Sequence, residues 1–557
     1  MDQTGVPTSQ VALQLVGPGK LKLNDRKEVL RPGPTQVLAK VEAVGVCFSD
    51  LKLLKQFSQH PRKSVVTSGL EKEVLSGIPS YVPDERPTVP GHEVALRIVA
   101  VGERVTRYKA GERCMVQTDF RELPTQNSNA AFGYNFEGAL QEYVLMDERV
   151  MIEPSTRERY LIPVSERLSA SAVAMVEPWA CVENSYANPE RRTLKAGGKL
   201  LVVAEAGHEV AGLKELLSGP DRPASIVAVG AAGLPLPATT ASDPASLPNE
   251  SFDDIVYFGA RKATLDVLND KLAVRGLINI VTGGRKIGAP ISVGIGRVHY
   301  ALTRWTGTVG SSAQESYRNV PSSGELRPGD RVAIIGAAGP MGQMHIIRAV
   351  CSGVPRLAVV GTDVDDARLE VLGRKALRLA RERGVDLRLV NTQKEPTRGE
   401  KFSYIALMVP VGALVADSIR DSRDGALINI FAGIPASTRH DLDLDAYIER
   451  RCFMFGTSGS VIRDMKAVLA KVESGQLDTN LSIDAVCGMA GAADGLAAVE
   501  NRKLMGKVVI YPPLRDLGLV PLSDLAQRFP TVASRLSDGA WTPAAEEELR
   551  KVAATQR

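Results

Sequence analysis

At 557 residues the chain is too long for one hydrophobic core and suggests about three or four units of roughly 150 residues. Its 68 basic and 64 acidic residues are interspersed and leave a net charge of only +4, so neither a nucleic-acid nor a membrane partner is implied. No apolar run approaches the ~18 residues that span a bilayer, and six scattered cysteines form no Cys-x-x-Cys pair; a cytoplasmic protein with free thiols is expected.

From Val11 to about Val150, short apolar runs broken by Gly and Pro, among them Gln36–Val41, Ala95–Val101 and Arg113–Val116, argue for a barrel-like β module. Cys47 and His92 lie at loops beside such runs and offer a soft and a borderline metal ligand, with Glu93 adjacent to His92. Gly45–Asp50, Pro90–Glu93, Tyr108–Arg113 and Gly138–Val144 follow one another in an order that resembles the catalytic domain of the medium-chain dehydrogenase/reductase family.

That resemblance implies a GroES-like β-barrel and one catalytic zinc. Cys47 and His92 would be ligands, and either Glu93 or Glu177 the third, the other holding the bound water; Ala174–Trp179 is similar to the polyol-dehydrogenase segment that supplies an acidic group. Ser49 falls where the family's hydroxyl contacts the reacting alcohol and starts the proton path. Position 48 is Phe where glycine is usual, and Lys52 replaces the frequent relay histidine; a lysine can carry a proton or attract an anionic substrate. The Cys47–His92 interval, 45 residues (92 against 47), is longer than the family's, and the polar, proline-dotted segment 56–83 that fills it is well placed to shape substrate access. Residues 117–137 contain no cysteine, so no structural zinc lobe is expected.

Residues 194 to about 318 read as a first copy of a nucleotide-binding unit whose second copy begins near Leu326. Phe252–Val256 parallels Phe402–Ala406 at an offset of 150 (402 against 252), and Leu277–Ile280 matches Leu427–Ile430 residue for residue at the same offset. The copies differ in chemistry. The second has Gly336, Gly339, Pro340, Met341 and Gly342 after an apolar run, then Asp363, 24 residues past Gly339, where a carboxylate meets the adenosine ribose. Asp365 and Asp366 would repel a 2′-phosphate, which favours NAD over NADP. The first copy has Glu205 and Glu209 near the pyrophosphate position, a helix expected over Val210–Leu217, and Ala232 in place of Asp363. It is expected to be a degenerate structural copy; the rival is a cation or ligand site at Glu205, His208 and Glu209.

Lys507, in the closing strand, is a frequent cofactor-side base in the resembling family. Thr542–Pro543 followed by Glu546–Glu548 reads as a helix start, placing a helical extension over 513–557. The expected architecture is α/β: a GroES-like catalytic domain over 1–193, completed by about 480–512, a degenerate Rossmann-like domain over 194–320 and an NAD-binding Rossmann domain over 324–480. The expected activity is a zinc- and NAD-dependent dehydrogenase of secondary alcohols, with a polyol, sugar or sugar derivative as the small-molecule alcohol or ketone partner, in a homo-oligomer (dimer or tetramer). A metal-independent quinone or enone reductase and a non-catalytic NAD-binding scaffold are the rivals.

Overall fold

The computed structural model describes residues 5–231, 233–234, 236–395, 397 and 399–555. The chain divides into two compact units, one reaching to Glu183 and resuming at Gly459, the other Asn184–Ser458.

The first unit is built on the strand Gln36–Gly45, buried along most of its length. It pairs antiparallel with Glu93–Val101, Tyr143–Asp147 and Lys507–Ile510, so a strand from the carboxyl end completes a sheet begun near the amino end. Gly45 sits opposite both Glu93 and Val509. A Cβ there would lie 2.1 Å from Glu93 Oε2 and 2.4 Å from Met175 Cε, so any larger residue would displace the carboxylate and the Met175 tip.

Sequence patterning showed only strands here, but Phe48–Gln56 is a helix capped at Cys47, whose N–H donates to Asp50 Oδ2 at 2.9 Å. The 56–83 segment is packed rather than loose: it forms short helical turns at Phe57–Gln59, Pro61–Lys63 and Lys72–Ser76 and bridges Val66 to Thr125 and Tyr81 to Phe136. The final helix, Pro543–Thr555, is anchored by the buried Glu546, which accepts from the Ala170 and Ser171 amides at 2.9 and 2.8 Å. That carboxylate satisfies the otherwise orphaned first N–H groups of the helix Ala170–Ala174.

The second unit holds two six-stranded parallel sheets of identical order. In space the first runs Thr239–Thr240, Ser225–Val229, Lys199–Ala204, Phe252–Phe258, Leu272–Val281, Arg304–Thr308. The second runs Asp386–Asn391, Ala358–Asp363, Arg331–Ile335, Phe402–Leu407, Ser422–Ile430, Phe453–Phe455. This is the doubly wound dinucleotide-binding order, and even the register shifts recur, after Phe252 and after Phe402. In the second copy the helix Pro340–Cys351 follows the glycines.

The copies share one core cluster, and an antiparallel ribbon joins them: Ile291 pairs Leu442, Ser292 pairs Asp441 and Val293 pairs His440. Because the copies are offset by 149 residues here (441 against 292), Ser292 faces its own equivalent, and its neighbours exchange partners as a two-fold axis requires.

Candidate active site

The sheet edge and the capped helix bring three ligand types together. Ligand atoms of Cys47, His92 and Glu93 all lie within 4.8 Å of one another. Ser49, in the first turn of the helix, has its Oγ 3.0 Å from Cys47 Sγ and 3.3 Å from His92 Nε2. Asp50 Oδ1 stands 3.1 Å behind His92 Nδ1, which leaves Nε2 as the nitrogen facing the cluster. Burial pushes the His92 imidazole down, but Asp50 and Tyr134 outweigh it and hold the ring well above its usual range. The Asp50 carboxyl is raised by burial, yet His92 and the Cys47 amide bring it below its ordinary value.

Lys507, read from sequence as a cofactor-side base, has its amine buried, donating to Glu93 Oε1 at 2.5 Å and to the Val46 carbonyl at 2.6 Å. Burial lowers the Lys507 amine, and Glu93 and Cys47 more than restore it. Glu93 Oε2 is buried without a hydrogen-bond partner. A cysteine sulfur, an imidazole nitrogen with a carboxylate behind it, and an orphaned carboxylate oxygen are the donor set that zinc takes, so the residues present fit that ion. Glu177 lies outside the close group, though within electrostatic reach of His92 and Glu93; burial is the first cause of its rise to about 7. Lys52 is exposed, on the helix one turn beyond Ser49.

Several neighbours escaped the sequence reading. Asp50 stands three residues after Cys47, a capping-box spacing that signalled it. Tyr134, whose ring is 5.8 Å from that of His92, and Arg62, paired with Asp119 at 2.8 Å, carried no local signal.

In the second unit, Gly336 turns the chain at φ 82° and Gly339 caps the helix that starts with Pro340 and Met341. A Cβ on Gly342 would fall 2.2 Å from the Gly336 carbonyl oxygen, so the strand and helix close only around glycine. Asp363 ends its strand and accepts from the Ala338 amide at 3.1 Å, which draws the acid to the glycine loop. Asp365 is a helix cap, accepting from the Arg368 amide, and Asp366 pairs with Lys394.

The first copy has no equivalent cradle. Its helix is only Leu213–Ser218, shorter than the expected Val210–Leu217, because Gly212 in the left-handed region starts it late. Glu205 occupies the turn, accepting from Tyr257 at 2.5 Å and Thr264 at 3.0 Å. Among the described residues the one group of potential metal ligands is Cys47, His92 and Glu93, so Glu205, His208 and Glu209 are not gathered as a cation site. Ala232 lies outside the described residues.

Residues 33–155 match the alcohol dehydrogenase GroES-like domain. The chain is 23% identical to the mannitol-1-phosphate 5-dehydrogenase of Aliivibrio fischeri, over 54% of this chain and 75% of the relative. It is 30% identical to an NAD-dependent alcohol dehydrogenase of Sulfurisphaera tokodaii, over 35% of this chain but only 51% of that protein. The 2R,3R-butanediol dehydrogenase of Bacillus subtilis shares the fold, with a TM-score of 0.52 at 14% identity, covering 90% of this chain and 100% of that one. Over its GroES-like domain the chain is thus similar to alcohol and polyol dehydrogenases, and the parallel sheets that follow carry the doubly wound order.

Proposed function

We propose that the protein is a zinc- and NAD-dependent dehydrogenase of secondary alcohols, acting on a polyol, sugar or sugar derivative. The observation that carries the reading is the group formed by the half-buried Cys47 and the buried His92 and Glu93, with Ser49 against it. Cys47, His92 and Glu93 would hold the ion, and a zinc bound there supplies Lewis-acid polarisation of an alcohol oxygen while NAD supplies the hydride acceptor. Ser49 Oγ would accept the substrate's hydroxyl proton as it releases its own toward solvent, the first link of a proton path. Asp50 fixes the His92 ring, and Lys507 holds Glu93 in place through its amine. Gly336, Gly339 and Gly342 let the pyrophosphate approach the backbone, and Asp363 takes the ribose hydroxyls. Relatives named for mannitol 1-phosphate and L-sorbose 1-phosphate support the polyol and sugar class.

Metal analysis of the purified protein, together with NADH formation across polyols, sugar phosphates and amino alcohols, tests the proposal. One zinc per chain and turnover abolished by Cys47→Ser are expected. Turnover without zinc, or unaffected by Cys47→Ser, would overturn it.

A further inference from the structure

Glu93 is held from two sides. On one, Lys507 donates to Glu93 Oε1 from the first position of the strand Lys507–Ile510. On the other, Glu93 Oε2 and Met175 Cε stand 2.1 and 2.4 Å from the point that a Cβ on Gly45 would occupy, so the buried methyl packs against the oxygen that has no hydrogen bond. Met175 closes the helix Ala170–Ala174, which lies on the strands Gln36–Gly45 and Glu93–Val101. Five residues are too few to keep a helix by its own hydrogen bonds, so what holds this one decides where Met175 sits.

Both supports lead to Glu546 in the carboxyl-terminal helix. Its carboxylate, 5% exposed, accepts from the Ala170 and Ser171 amides at 2.9 and 2.8 Å, at the amino end of the helix that Met175 closes. Glu546 Oε2 also accepts from the Tyr511 hydroxyl at 3.0 Å, and Tyr511 is the residue after the Lys507–Ile510 strand. Trp541 Nε1 donates to that hydroxyl at 3.1 Å and fixes its direction, while Arg550, 3.1 Å from Glu546 Oε1, balances the charge. Ser169 already caps the helix, accepting from the Ala172 amide at 3.2 Å, so a helix start alone does not call for a buried carboxylate.

We propose that Glu546 is a positioning residue of the metal site, setting Glu93 through Met175 on one side and Lys507 on the other, and so raising the affinity of Cys47, His92 and Glu93 for their ion. This rests on the zinc reading of that group. The two helix amides and the Tyr511 hydroxyl converge on Glu546, and a carboxylate's two oxygens accept all three where an amide's single oxygen cannot. The tie therefore joins the turn that carries Met175 to the strand that carries Lys507, and Glu93 lies between them. A ligand oxygen held in place before the ion arrives lowers the ordering cost of binding.

The test measures the zinc affinity of the full chain by competition with a chromogenic chelator. Partners behind metal ligands are typically worth about 10–100-fold in metal affinity, and Glu546→Gln, acting through two intermediaries, is expected at the lower end, about tenfold weaker. The helix keeps its other anchors in this variant: Ser171 Oγ donates to Asn480 Oδ1 at 2.7 Å and Thr479 Oγ1 to the Ala172 carbonyl at 2.8 Å. Tyr511→Phe removes only the hydroxyl of the tie and keeps the test decisive if Glu546→Gln fails to fold; it should weaken zinc in the same direction. Glu547→Gln, on the exposed face of the same helix, should leave the affinity unchanged.

The same measurement in a Met175→Ala background separates positioning from general stability. Without the methyl against Glu93, adding Glu546→Gln should cost only about threefold, whereas a merely structural role would lower the unfolding midpoint and leave the two effects on zinc affinity additive. Zinc affinity unchanged in both Glu546→Gln and Tyr511→Phe, equal weakening in Glu547→Gln, or additivity with Met175→Ala would overturn the inference and leave the zinc reading standing. A wild-type chain that binds no zinc would overturn both.

Discussion

Replacing Lys507 with Met removes the amine from Glu93 and fills its place with apolar volume. The carboxylate then keeps neither the 2.5 Å bond to Oε1 nor any partner on Oε2, at full burial. Removing one partner of a buried pair costs about 3–5 kcal/mol. Metal-free Lys507→Met protein should therefore lose about 3 kcal/mol of local stability at pH 7. Hydrogen exchange of the amides in Lys507–Ile510 and Gln36–Gly45, followed by mass spectrometry in a chelator, reads this opening directly. Adding Glu93→Gln to Lys507→Met should recover at least half of the loss. A loss below about 1 kcal/mol at pH 7, or no recovery in the double variant, would mean that Lys507 does not hold Glu93 as described.

Asp363→Ala should weaken NADH binding by about 1.5–3 kcal/mol, the worth of hydrogen bonds to a charged group, while Glu205→Ala in the first copy leaves it unchanged; equal losses in a fluorescence titration would mean that the working copy is wrongly assigned. His60, held at about 4 against an ordinary 6.5, binds fewer protons folded than unfolded, so its contribution is complete above pH 6.5 and declines as the pH falls toward 4. The loss totals about 3 kcal/mol, and exchange rates across residues 57–63 should show it in wild type but not in His60→Gln. Ser292→Cys with Asp441→Cys places thiols at directly paired positions and should give a crosslinked single chain under oxidation. Crosslinked dimers would show that the ribbon forms between chains.

What could be read from sequence was what repeats or keeps a fixed spacing. Leu277–Ile280 and Leu427–Ile430 disclosed the duplication because both runs form the buried ends of equivalent strands. Gly336, Gly342 and Asp363 were legible because the backbone of one loop dictates all three. Cys47, His92 and Glu93 could be nominated singly, but their meeting depends on the register that sets Gly45 opposite Glu93, a long-range property of the sheet. Lys507 was legible as a strand start; the partner of its amine lies 414 residues away. Arg62 was hidden because short helical turns, tied down by bridges to Thr125 and Phe136, decide where its segment lies.

The two copies show which constraints the fold imposes and which the nucleotide does. Strand order, register shifts and the apolar core are kept in both, since each sheet buries residues in the shared cluster and a change in either would open a cavity felt by both. The loop after the first strand lies outside that shared cluster. In one copy it is a tight glycine turn that opens the helix Pro340–Cys351; in the other a carboxylate held by Tyr257 and Thr264 closes the same position. A glutamate there supplies the negative charge that a phosphate would bring and needs no ligand to satisfy its neighbours. The first copy thus keeps the geometry that its sister packs against across the ribbon, while its loop packs Val210 on the local core and bridges Ala211 to Ser312 in place of a glycine cradle.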